Sequence, residues 1–165
     1  AFITSGTSSC RPRIISSAPN QFIVRATGGV GFYTSISPVG VVGVELSSNG
    51  SGWQNVSDVN VKTNFRDLAD DDGLAKIAAL PIREWNYVTQ DASIRHVGPT
   101  AQDFRAAFGL GESLRHINTI DADGIALAAV KALEARTRAL TRDNDELRAR
   151  LARLEALLDK SRSPP

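Results

Sequence analysis

The stretch that most constrains this chain lies near its C-terminus. Val130, Leu133, Thr137, Leu140, Asn144, Leu147, Leu151, Leu154 and Leu158 recur in alternating steps of three and four. An α-helix turns once in about 3.6 residues, so these steps place every one of them on a single narrow stripe, the seam of a coiled coil. The a positions are Val130, Thr137, Asn144, Leu151 and Leu158, and every d position from Leu133 to Leu154 is Leu. A helix packed only on its own domain would carry a broader apolar face. This pattern therefore predicts an oligomer. Asp143 and Arg150 at g stand before Arg148 and Glu155 at the next e positions. Between parallel chains these charges are complementary, each pair worth about 0.2–0.5 kcal/mol, and together they favour one direction. Leu at d with Asn at a leans toward two chains, while Thr137 and Asn144 can equally ring a three-fold axis. The heptads alone leave that number open.

The other end of the chain is written differently. Residues 1–56 hold few charges and much Gly, Ser, Val and Ile. Short apolar runs, Gln21–Arg25 and Val41–Leu46, alternate with turn clusters at Thr27-Gly28-Gly29, Ser37-Pro38 and Ser48-Asn49-Gly50-Ser51-Gly52. Such alternation predicts strands and turns. They are too short and too few for a core of their own, so they are expected to need neighbours from earlier in the chain or from other copies.

Between these ends the chain reads as mixed α/β. Asp70-Asp71-Asp72-Gly73 lacks the alternate spacing and closing Glu of a calcium loop. It is expected to be a turn whose acids favour the start of a helix over Leu74–Leu80, ended by Pro81. Residues 82–88 alternate and predict a strand with Trp85 and Tyr87 on one aromatic face, as core or subunit-interface residues. Gly98-Pro99 precedes a predicted helix, Ala101–Phe108, with Phe104 and Phe108 on one face and Gly109 and Gly111 to stop it. The final helix is expected from Asp123 onward.

Ser57-Asp58-Val59-Asn60-Val61-Lys62 marks the change of composition. A serine and a lysine are the minimum for Ser/Lys nucleophilic catalysis, a hydroxyl to attack and an amine to take its proton. Residues five apart do not face each other on an α-helix or on a strand. They can meet only if the chain bends between them, or if Lys62 comes from another subunit. The bland reading makes Ser57-Asp58 turn or cap residues and Lys62 a solvated surface residue.

An ordered series of motifs comes next: Lys62-Thr63-Asn64-Phe65, Leu80-Pro81-Ile82 with Trp85-Asn86-Tyr87, Gly98-Pro99 through Phe104, and Ile120-Asp121-Ala122-Asp123-Gly124 ahead of the last helix. With Ser57-Asp58 this series, over about residues 53–140, resembles the endosialidase-type intramolecular chaperone domain at the C-terminal end of phage tail spikes and fibres. The resemblance implies a homotrimer that guides folding of the β-rich domain before it and then cuts itself free. Ser57 is then the nucleophile, Lys62 its general base, and Val56–Ser57 the scissile bond. The chain departs from the family at Asn60, where members often carry a basic residue.

The expected fold class is α+β. A short β-rich stalk end, the end of a passenger (1–56), precedes a small mixed α/β chaperone and autoprotease domain (57–125). A long helix then forms a parallel trimeric coiled coil (126–160), followed by a disordered tail (161–165). The implied setting is a phage virion tail or a bacterial cell surface, with assembly in the host cytoplasm if the source is a phage. The partners are two further copies and the upstream passenger of the same chain. Net charge +1 gives no electrostatic case for nucleic acid. No apolar run is long enough for a membrane span. Cys10 is the sole cysteine, and His96 and His116 lie too far apart for a helical metal pair, so neither a metal nor a cofactor is expected. With no Met in the sequence, Ala1 is read as a point within a longer polypeptide. Two rival readings keep the fold and drop the chemistry. One is a trimerisation and registry module that stays attached; the other is a receptor-binding tip, for which Trp53 is the sole aromatic near the hinge.

The seam can be tested without reference to any family. Replacing Leu147 and Leu154 by polar residues removes two d layers, at about 2–5 kcal/mol for each Leu lost from a buried site. Sedimentation equilibrium should then find monomers at micromolar concentration where the parent chain is oligomeric.

Overall fold

The structure, a computed structural model, describes residues 15–68 and 70–162, with the backbone alone for 70–72. Cys10 and residues 163–165 lie outside the described residues. The elements are β1 (Gly29–Ser37), β2 (Gly40–Ser47), β3 (Gln54–Asn55), a 3₁₀ turn (Val59–Val61), α1 (Asp70–Ala79), β4 (Arg83–Trp85), β5 (His96–Gly98), α2 (Ala101–Phe108) and α3 (Thr119–Arg162). The fold is thus mixed: small antiparallel sheets and a long C-terminal helix. Two compact units divide the chain, one ending at Phe65 and one beginning at Arg66.

In the first unit β1, β2 and β3 form an antiparallel meander. The β1–β2 turn is Pro38-Val39, and Gly40 leaves it at φ 143°, a conformation L side chains rarely adopt. Val30 pairs with Leu46 and Phe32 with Val44, then the register slips between Tyr33 and Ser35. At that bulge β2 offers Gly43, where a Cβ would fall 2.0 Å from the Phe32 carbonyl oxygen. Only glycine lets the strands close there. Trp53 lies against Phe32 with ring centroids 5.5 Å apart. The Tyr33 hydroxyl donates to Glu45 Oε1 at 2.8 Å, and this hydrogen bond to a carboxylate holds the phenol above its ordinary pKa. The predicted strand Gln21–Arg25 joins no sheet, and Phe22 is exposed. Its alternation suits a strand, but no partner strand lies beside it among the described residues.

In the second unit three helices surround the most buried side chains. Phe104 and Ala132 are the described hydrophobic residues with least exposure, at 5% each. Helix α2 has the predicted bounds. The Thr100 hydroxyl accepts the Asp103 N–H at 3.1 Å as N-cap, and Gly109 at φ 67° ends the helix in the left-handed region. The Phe104 and Phe108 rings meet at a tilt of 53°, with centroids 5.0 Å apart. Helix α1 begins at Asp70, four residues before the expected Leu74, so the acids form its first turn and do not precede it. It packs on α3, with Leu74 half-buried and Ala132 buried, and Leu74, Ala75 and Ala78 line an open groove between the two helices with Ala132, Ala135 and Ala139. Ile77, Phe108, Leu110, Ile125 and Ala129 line a partly open cavity of about 120 Å³ beside them, with Arg66 and Lys76 at its wall.

The strand predicted over 82–88 is shorter, Arg83–Trp85, paired with His96–Gly98. Local hydrogen bonds end it. The Gln90 side-chain oxygen accepts the Tyr87 N–H at 3.2 Å and lies 3.0 Å from His96 Nε2. Tyr87 thereby turns its ring edge-on to Trp85, with centroids 4.9 Å apart. Asp91 accepts from the Ser93 hydroxyl and N–H, which hold its carboxyl below the usual range.

Helix α3 starts at Thr119, ahead of the expected Asp123, because the Asn118 side chain accepts the Ile120 N–H at 3.0 Å. It runs through Ser161 and Arg162, two residues into the stretch expected as a tail. The apolar seam residues, Val130, Leu133, Leu140, Leu147, Leu151, Leu154 and Leu158, are 52 to 63% exposed, and Thr137 and Asn144 are exposed between them. Thr137 and Asn144 each bond back to their own helix, at the carbonyls of Leu133 and Leu140. Arg150 pairs with Glu146 on the same helix at 2.5 Å. Among the described residues no helix is long and apolar enough to cross a membrane.

Two substitutions in α2 should differ in cost. Phe104→Ala should destabilise by about 3–5 kcal/mol as a buried aromatic, and Thr100→Ala by about 1 kcal/mol as a cap. Urea midpoints at one fixed protein concentration should rank them in that order.

Candidate functional site

The junction after β3 is built by the first unit alone. Glu45 pairs with Gln54 and Val44 with Asn55, and the ladder runs one residue further, with the Val56 N–H donating to the Gly43 carbonyl at 3.0 Å. Val56 is therefore tied to β2 through its N–H. Ser57 comes next, exposed.

Asp58 then turns the chain. Its backbone is extended (φ −64°, ψ 135°) and its Oδ1 accepts the Asn60 N–H at 2.8 Å and the Asn60 side-chain amide at 2.9 Å. This is an N-cap on a single 3₁₀ turn, Val59–Val61, closed by Val61 N–H to the Asp58 carbonyl and Lys62 N–H to the Val59 carbonyl. Lys62 leaves the turn extended again, at φ −113° and ψ 151°. One tight turn between extended ends brings together side chains that neither a helix nor a strand would. Lys62 Nζ donates to Ser57 Oγ at 2.5 Å.

Asp58 is the cap residue, and the cap is what lets Ser57 meet Lys62. Asn60 spends its side-chain amide on Asp58. Val61, half-buried, is seated over Gly40: a Cβ on Gly40 would lie 2.7 Å from Val61 Cγ1. Gly40, Gly43 and Val61 were not singled out from the sequence. Their signal is weak, since glycine in a strand marks close backbone approach without saying to what.

A hydroxyl and an amine thus stand in hydrogen-bond contact, one residue beyond the Val56 N–H that β2 holds. Lys62 is exposed in the single chain. The seam residues belong to the second unit and line one open stripe of α3. Trp85, Tyr87 and His96 cluster on the β4–β5 ribbon, with Trp85 4.8 Å from His96. Among the described residues no three His, Cys, Asp or Glu side chains gather to hold a metal.

The turn depends on its cap. Asp58→Ala should remove about 0.5–2 kcal/mol from it. Amide hydrogen exchange at Asn60, Val61 and Lys62 should accelerate while that of β1 and β2 stays unchanged.

Compared with known families, residues 57–109 match a peptidase family described as chaperone of endosialidase. No curated protein and no solved structure matches the chain.

Proposed function

With residues 57–109 an endosialidase-type chaperone domain, we propose that this chain is an intramolecular chaperone that trimerises, folds the β-rich stretch before it, and releases itself at Val56–Ser57. The observation that carries the chemistry is the 2.5 Å contact of Lys62 Nζ with Ser57 Oγ, one residue beyond Val56, whose N–H is bonded to the Gly43 carbonyl. The chaperone role rests on the family match, and the trimer on the open heptad seam of α3 with the family resemblance.

In this reading the seam brings three parallel chains into register, which raises the local concentration of the strands that must intertwine upstream. The domain completes assembly around them. Ser57 Oγ then attacks the Val56 carbonyl carbon, and Lys62 takes the hydroxyl proton. The C–N bond breaks, Ser57 nitrogen leaves as an amine after gaining a proton, and Val56 becomes an ester on Ser57. Water hydrolyses the ester to a Val56 carboxylate and a restored serine.

Lysine acts as a base only when neutral, a form that withdrawal from water favours. Exposed in one chain, Lys62 would gain that withdrawal from neighbours in the trimer. Cleavage then comes after assembly. The setting is a phage tail fibre or spike, or a bacterial surface protein, and the single-turnover peptidase needs neither metal nor cofactor. The exposure of Ser57 and Lys62 favours one alternative, a registry module that stays attached.

Mass spectrometry separates them. The folded chain should yield 1–56 and 57–165, with Ser57 as a new N-terminus. Ser57→Ala should stay whole, and Lys62→Ala should cut about 10²–10⁴-fold more slowly, the usual worth of a positioned base. A folded, oligomeric wild-type chain that remains at full mass for days leaves the registry module.

A further inference from the structure

Resting on that reading, we propose that β2 is the substrate-binding strand of the self-cleavage reaction, with Gly43, Gly40 and Val61 as positioning residues. The cut therefore waits on correct pairing of β3 with β2.

Extended peptides are commonly held by adding themselves as a strand to a sheet edge. Val56, on the acyl side of the proposed cut, is held in this way by its N–H on the Gly43 carbonyl at 3.0 Å. On the other side the anchor is Val61, which sits between nucleophile and base in the chain and rests where Gly40 leaves room. Both anchors are on β2, and they flank the bond at residues 56 and 61. The close approach of β1 and β2 beside this anchor depends on Gly43, since a Cβ there would fall 2.0 Å from the Phe32 carbonyl oxygen. The chaperone segment supplies Ser57 and Lys62, and the sheet before it supplies the seat for the bond they act on.

Register is what such a seat reads. A slide of β3 by two residues would keep each side chain on its own face, so facial packing rejects it weakly. It would nonetheless carry Val56 from Gly43 to Glu45 or Val41. The base–nucleophile contact and the peptide to be cut would then no longer be held by one strand.

A reversible lock tests this. In a Cys10→Ser background, Val44→Cys with Asn55→Cys joins direct partners and fixes the observed register. Leu46→Cys with Asn55→Cys fixes β3 two residues out of it. Each full chain is made by cell-free translation with and without thiol reductant, the crosslink is verified by non-reducing peptide mapping, and cleavage is followed by mass. The in-register pair should cut in both conditions. The shifted pair should cut about a hundredfold more slowly when crosslinked, the cost of misplacing reacting groups by an ångström or so, and recover on reduction. Recovery distinguishes positioning from a failure to fold. Cleavage of the crosslinked shifted pair at the parent rate overturns the inference, as does loss of cleavage in the crosslinked in-register pair. A wild-type chain that stays whole overturns the cleavage reading itself, and this inference falls with it.

Discussion

Burial is the scarce quantity in this chain. Among the described residues Phe104 and Ala132 are the only buried hydrophobic residues, each still 5% exposed, while the apolar residues of the α3 seam stand more than half exposed. A helix of 44 residues is not held by propensity alone; it persists where an apolar face is covered. One stretch of α3 is covered within the chain, where α1 lies against it and Ala132 is buried. The leucine stripe has no such cover. The hydrophobic effect, at about 25 cal/mol for each Å² buried, gives a second copy a strong reason to supply it. Short strands in the first unit share this condition, with Phe32 and Trp53 covering each other in part and otherwise open.

The parts legible in the sequence are those fixed by local rules. Helix α2 could be bounded to the residue because Gly98-Pro99 and Gly109 punctuate it and two phenylalanines mark its face. The seam of α3 was legible because nine residues obey one period. The start of that helix was missed since Asn118, a capping side chain, outranked the hydrophobic pattern that begins later. Gln21–Arg25 had the alternation of a strand, but pairing is a property of two segments, and alternation in one cannot supply the other. Tyr87 left its predicted strand because Gln90 captured its N–H.

The Ser57–Lys62 contact stands between these cases. Residue types named the pair, and spacing argued against it, since five residues match neither regular period. What reconciles them is the Asp58 carboxylate, which caps a single 3₁₀ turn between extended residues. The seat beneath that turn, Gly40 and Gly43, was invisible for another reason. A glycine records the absence of a side chain, and only coordinates show what fills the space.

The short reach from Lys62 to Ser57 also shapes the junction once it has been cut. Cleavage at Val56–Ser57 would turn the Ser57 peptide nitrogen into a free α-amino group on the very residue whose hydroxyl Lys62 touches. The same event gives Val56 a carboxylate while its N–H remains on Gly43. Two ends would then meet at one hydroxyl, belonging to separate fragments, one tied to the lysine and one to the sheet. Resealing would have to expel water to rejoin that amine to the Val56 carboxylate, a condensation that the surrounding water opposes, so the junction itself would resist it.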